Sequence, residues 1–114
     1  MRIPGAERAV VDIVKLSGYS LNPLHPKGRH KARVFASRLG LTARDAERLR
    51  NILLQKIRES EDAIESEEDS YGRRFLLDFE MEAPKGTAPI RSGWVIREGE
   101  DFPRLTTCFV RRRA

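Results

Sequence analysis

At Tyr71 the hydrophobic period of this chain changes from that of a helix to that of a strand, and that order limits the folds open to it. Before Tyr71, Ala32, Phe35, Ala36 and Leu39 fall at i, i+3, i+4 and i+7, one face of a helix. Ala46, Leu49, Leu53 and Ile57, widened by Ile52, make a second stripe. After Tyr71, Phe75, Leu77, Phe79 and Met81 alternate with Arg74, Leu76, Asp78 and Glu80. Ile90, Ser92, Trp94 and Ile96 then alternate with Arg91, Gly93, Val95 and Arg97. Pro84-Lys85-Gly86-Thr87 and Glu98–Pro103 read as turns, and Leu105–Val110 as a third strand. Helices followed by a meander predict an α+β fold, with N-terminal helices packed on a three-stranded antiparallel sheet over residues 71–112.

Local punctuation sharpens the helical part. Ala9-Val10-Val11 is strand-like and leads into a helical turn through Ile13, Val14 and Leu16 to Gly18-Tyr19. Leu21–Gly28 contains Asn-Pro and His-Pro, and each proline pushes the residue before it out of the helical region, so this is a loop and His25 stands on extended backbone. A helix starts near Gly28 or Arg29 and stops at Gly40, a left-handed cap. Thr42, with Asp45 three positions on, opens the next helix as a capping-box pair.

At 114 residues the chain makes one domain with one core. No apolar run approaches the ~20 residues of a membrane span, so a membrane is not among the expected partners. The first residues show no charged-then-apolar stretch, so no signal segment is expected. Cys108 is alone, which suits a reducing compartment and gives the cytoplasm as the expected location, whether the chain is made there or delivered into it from another cell. Two His and one Cys make no zinc pattern, no phosphate loop or dinucleotide fingerprint occurs, and no cofactor is expected.

Charge is distributed unevenly. Residues 1–58 carry 13 Lys/Arg against 4 acids, a balance of +9, while residues 59–114 carry 9 against 13, a balance of −4. Seven of those acids lie in Glu59–Asp69, and residues 59–70 read as an acidic, mobile loop. The basic half implies a polyanionic partner, of which RNA is the one expected here. Arg111–Arg113 could hold phosphate but read more simply as a soluble end.

Chemistry concentrates in residues 25–38, which hold both histidines, five Lys/Arg and no acid. Cleaving RNA without a metal needs a base for the 2′-hydroxyl, an acid for the leaving 5′-oxygen and cations or donors for the charged phosphorane. Imidazole as a side-chain type suits proton transfer near neutral pH, which makes His25 and His30 the candidates for the first two roles. Arg29, Lys31, Arg91 and Arg104 can supply charge, and Ser92 and Thr106 can supply hydroxyl donors. Backbone N–H groups at the helix start near Arg29-His30 offer a phosphate site. Each of these residues also has a structural reading: His25 shaping its loop, His30 and Lys31 as exposed helix residues, Trp94 in the core, Cys108 as a small packed side chain.

The string from Tyr19 to Phe35, Tyr-Ser-Leu-Asn-Pro-Leu-His-Pro-Lys-Gly-Arg-His-Lys-Ala-Arg-Val-Phe, resembles a bacterial family with the pattern Y-x-L-N-x-x-H-x-x-G-x-x-K-A-x-x-F. Leu39-Gly40-Leu41, Tyr71-Gly72, Arg91-Ser-Gly-Trp94 and Pro103-Arg-Leu-Thr-Thr107 continue the match over nearly the whole chain. That family is a domain of unknown function, found as small free-standing proteins and at the C-termini of secreted polymorphic toxins. The architecture is also similar to the barnase/EndoU/colicin/RelE-like (BECR) nucleases, an analogy of fold. The resemblance points to His25 and Lys31 in the early motif and to Arg91, Ser92 and Thr106 on the strands; joined to the residues' own chemistry, it gives His25, Lys31, Arg91 and Thr106 as the expected catalytic set and Arg29, His30, Ser92 and Arg104 as substrate-binding. It also implies a small acidic immunity or antitoxin protein as partner. His30 falls where the family pattern is free. Two functions stay open: a metal-independent endoribonuclease toxin, and a non-catalytic module that binds protein or nucleic acid through the same basic face.

Overall fold

The computed structural model describes residues 1–112, so Arg113, part of the basic tail, lies outside the described residues. After a 3₁₀ turn at Ala6–Arg8 come the single helical turn α1 (Ile13–Lys15), a wide π-type turn at Leu16–Ser20, and the helices α2 (Arg29–Leu39) and α3 (Ala46–Glu59). Four strands follow, β1 (Ile64–Glu68), β2 (Gly72–Ala83), β3 (Gly86–Arg97) and β4 (Arg104–Val110), antiparallel in the order β1-β2-β3-β4. This is the α+β arrangement that the change of period predicts. Gly40 ends α2 with φ 70°, and the Thr42–Asp45 capping box forms, Asp45 Oδ2 accepting the Thr42 N–H at 2.8 Å. Among the described residues no helix is long and apolar enough to cross a membrane.

The two faces of the sheet differ as the alternation requires. Phe75, Leu77 and Met81 of β2, and Ala88, Ile90, Ser92, Trp94 and Ile96 of β3, face the helices. There they meet Phe35 and Leu39 of α2 and Leu49, Leu53 and Ile57 of α3 in one cluster. Each large side chain buried this way contributes about 1.5–3 kcal/mol. The other face carries Arg74, Leu76 and Asp78, cross-strand from Val95, Gly93 and Arg91. Cys108 is fully buried and burial pushes its thiol up to about 12, so it packs as an inert small side chain.

The sheet has four strands where three are expected, because the acidic segment is not a loop. Glu65, Glu67 and Glu68 pair with Phe75, Arg74 and Arg73 of β2. Arg73 grips Glu65 with two hydrogen bonds of 2.9 and 3.0 Å, and Arg74 reaches both Glu67 and Asp69. Facing arginines supply what strand propensity lacks, since opposite charges directly across a ladder stabilise it. All five β1 residues are exposed, as a charged edge strand should be. The acidic run is therefore partly neutralised within the molecule.

At the other edge, Val10 forms a short parallel bridge with β4: its N–H donates to Pro103 O at 2.9 Å and its carbonyl accepts from Leu105 N at 3.0 Å. The strand-like Ala9–Val11 is thus a one-rung extension of the sheet. The β3–β4 register also slips here, with Gly93 opposite Thr107 but Trp94 opposite Leu105. Thr106 is the extra residue of this β-bulge, and a bulge re-aims side chains.

Candidate active-site cleft

The bulge puts two hydroxyls side by side. A Cβ added to Gly93 would lie 2.8 Å from Thr107 Cγ2 and 3.0 Å from Thr106 Oγ1, so both threonines project to the face opposite the core. Strict alternation would have separated them. Gly93 makes room for the pair.

Opposite the threonines the chain leaves the sheet through α1, the π-type turn and the His25 loop. Leu21 N–H donates to Leu16 O at 2.8 Å, the wide i→i+5 bond that such functional-site turns use. Tyr19, on this turn, sets its ring edge-to-face with the His25 imidazole at 4.6 Å between centroids. Gly28 packs so closely on Tyr19 that a Cβ there would sit 2.4 Å from the Tyr19 carbonyl oxygen. Asn22 shapes the loop between them, its Oδ1 accepting from Leu24 N and its Nδ2 donating to Gly18 O. The Asn-x-x-His-x-x-Gly part of the motif is one compact turn.

His25 has a defined orientation within it. Nδ1 accepts the N–H groups of Lys27 at 3.0 Å and of Gly28 at 2.9 Å, and the His25 carbonyl accepts from Arg29 N at 3.0 Å. The neutral ring must then carry its proton on Nε2. The N–H groups of Lys27, Gly28 and Arg29, which lead into α2, are thus all engaged by His25. The half-buried Lys31, one turn into α2, donates from Nζ to Thr107 Oγ1 at 3.3 Å. Its ammonium lies 5.4 Å from the Tyr19 ring centre and 5.2 Å from that of Phe109, within cation–π range.

These groups border an open cavity of about 350 Å³, walled by Asp12, Val14, Lys15 and Gly18 through Ser20 on one side and by His25 and Leu105 through Thr107 on the other. A smaller cleft of about 100 Å³ continues from it, sharing Asp12, Lys15, Leu105 and Thr106 and extending to Tyr71, Val95, Arg97 and Arg104. Together they form a groove from the His25 loop onto the open face of the sheet.

Of the residues expected at the site, His25 and Thr106 line the cavity, and Lys31 joins it through Thr107. Arg104 lines the adjoining cleft, bound bidentately to Glu100, whose carboxyl it holds below the usual range. Arg29 and His30 are exposed on α2 and outside the cavity. Arg91 lies elsewhere: two of its nitrogens grip Asp78 at 2.8 and 2.9 Å, and Arg111 binds the same carboxylate at 2.8 Å. Hydrogen bonding to Arg91 holds the Asp78 carboxyl below its ordinary range. Ser92 corrects the expectation of a substrate donor. It is fully buried, donating to Leu77 O at 2.8 Å and accepting from Trp94 Nε1 at 2.9 Å, because its register puts it on the core face. Asp12, Lys15 and Thr107 join the site without having been expected there. The Thr-Thr pair is visible in the sequence, but the bulge that makes the two hydroxyls neighbours is not.

The fold is similar to a chain of the contact-dependent growth inhibition toxin–immunity protein complex from Klebsiella pneumoniae 342, with a TM-score of 0.69 and 15% identity over 95% of this chain and 97% of that one. At that identity the likeness is one of fold. No curated protein matches the sequence. Residues 2–112 match a family model described as a domain of unknown function, DUF6883, and the chain belongs to that family.

Proposed function

We propose that this protein is a bacterial endoribonuclease toxin that cleaves RNA by attack of the 2′-hydroxyl, without a metal, on a BECR-like scaffold. The observation that carries the reading is the meeting of His25, Lys31, Thr106 and Thr107 at one open cleft. Such a set suits a phosphorane better than a neutral ligand. His25 donates from Nε2–H to a non-bridging phosphate oxygen, Thr106 and Thr107 donate from their hydroxyls, and Lys31 brings a full positive charge. Fixed donors aimed at developing charge supply much of the acceleration in many enzymes, each worth about 100- to 1,000-fold in rate. Lys31 takes the stabilising role expected jointly of it and Arg91, whose guanidinium is bound to Asp78. Arg29 and His30, exposed on α2, and Arg104 in the adjoining cleft steer and hold the phosphate backbone.

A toxin of this kind acts in the cytoplasm of the cell it enters and needs a neutralising partner in the cell that makes it. The similarity in fold to a chain of a toxin–immunity complex supports such a partner, and the basic cleft favours an acidic one.

The non-catalytic module remains as a second reading, because the motif has a structural use of its own: Nδ1 of His25 closes its loop, and Gly28 fits against Tyr19. Inducing the gene in a bacterium separates the two readings. Wild-type protein is expected to arrest growth and leave discrete RNA fragments. Lys31→Met, which keeps the packing over Tyr19 and Phe109, should abolish both effects while remaining folded. Normal growth with intact RNA from soluble, folded wild type would give the module the better claim.

A further inference from the structure

We propose that Asp12 is the general base of the cleavage step, an assignment that rests on the ribonuclease reading. The reason lies in the supply of proton acceptors. A 2′-hydroxyl becomes a nucleophile only if some group takes its proton, and the groups at the cleft are mostly donors. His25 has its Nδ1 lone pair engaged by two backbone N–H groups, so its outward nitrogen carries hydrogen. Lys31 and Lys15 are ammonium groups, and Thr106, Thr107 and Tyr19 are hydroxyls. Among the described residues lining the cavity, Asp12 is the one carboxylate.

Its setting fits the role. Asp12 precedes α1 and its Oδ1 accepts the Val14 N–H at 3.0 Å, which fixes the carboxylate plane at the cavity wall. Asp12 is exposed, so its second oxygen is open to an incoming hydroxyl. Asp12 also lines the adjoining cleft with Thr106, so it stands where a chain lying along the groove would pass from one pocket to the next. Glu100, which meets the adjoining cleft through Arg104, is engaged by that arginine.

In the step, the Asp12 carboxylate takes the 2′-hydroxyl proton as the 2′-oxygen forms its bond to phosphorus. The bond from phosphorus to the 5′-oxygen breaks, and that oxygen takes a proton from the Lys31 ammonium. The products are a 2′,3′-cyclic phosphate and a 5′-hydroxyl end, and water restores the protonation of both side chains.

The test uses the full chain and an RNA oligonucleotide spanning the site that the wild type cuts in cellular RNA. One version carries the ordinary linkage and the other sulfur in place of the leaving 5′-oxygen. Sulfur leaves without a proton, so it erases a defect in the acid and not one in the base. Asp12→Asn keeps the cap on Val14, since Asn caps as well as Asp, and is expected to lower kcat about 100-fold or more on both oligonucleotides with KM little changed. Asp12→Glu should recover part of the loss, and Lys31→Met should be rescued by sulfur. Asp12→Asn cleaving the ordinary linkage within about threefold of wild type would overturn the assignment, as would its rescue by sulfur. If folded wild type cuts no RNA, the ribonuclease reading falls and takes the base with it; if wild type cuts and Asp12→Asn cuts equally, only the base is lost.

Discussion

His25→Asn is expected to fold as well as the wild type and to cleave RNA about 100- to 1,000-fold more slowly, the usual cost of one donor removed from a developing oxyanion. Asparagine places its Oδ1 near the position of the imidazole Nδ1, so it can still accept from Lys27 N and Gly28 N and keep the loop closed. It has nothing at the position of Nε2. The substitution thus removes the outward donor and spares the structural bond. His25→Gln does the reverse, placing an amide near Nε2 while opening the loop. It should therefore lose melting temperature and retain more activity per folded molecule than its loss of order suggests. Unchanged cleavage by His25→Asn would make the residue a loop cap and nothing else. The tautomer has a direct check: in the nitrogen spectrum of ¹⁵N-labelled protein, the neutral form of the ring should show the bonded hydrogen on Nε2 and a bare Nδ1.

This use of His25 shows what sequence can and cannot carry. The two prolines, the motif glycine and the start of α2 are legible because each acts on neighbouring backbone, and residues 25–31 stand out as a basic stretch holding both histidines. The hydrogen bonding of the imidazole is not legible. A histidine in a basic loop reads as a proton carrier, and only the placement of Lys27 N and Gly28 N against Nδ1 fixes the tautomer of its neutral ring. The strands behave likewise. Alternation places Arg91 and Ser92 on opposite faces, yet it cannot say that Ser92 is sealed by Leu77 and Trp94 or that Arg91 faces Asp78 across the β2–β3 ladder. The bulge at Thr106 depends on register with β3, which no local pattern encodes. Strand β1 is hidden for the same reason: five residues with three glutamates make a poor strand until Arg73 and Arg74 lie opposite them.

Ser92→Ala is expected to lower stability by about 1–3 kcal/mol, the cost of leaving a buried polar partner unmet, and to leave cleavage per folded molecule unchanged. The hydroxyl bridges two groups that water cannot reach, donating to the Leu77 carbonyl and accepting from the Trp94 indole N–H. Removing it strands the indole donor among apolar side chains. In a domain of this size each kcal/mol lost moves the thermal midpoint by roughly 4 °C. Trp94→Phe takes away the donor that needs the hydroxyl, at the cost of a small void. The two substitutions together should therefore cost less than the sum of each alone, with a coupling of about 0.5–3 kcal/mol, as expected of contacting partners. Thermal melts of the four proteins read that coupling, and RNA cleavage by the same samples tests the other claim. A Ser92→Ala variant that melts with the wild type and fails to cut RNA would return the serine to the substrate. One that melts early and cuts at the wild-type rate places it in the core, as the polar contact that holds Trp94 beneath the strand carrying Gly93.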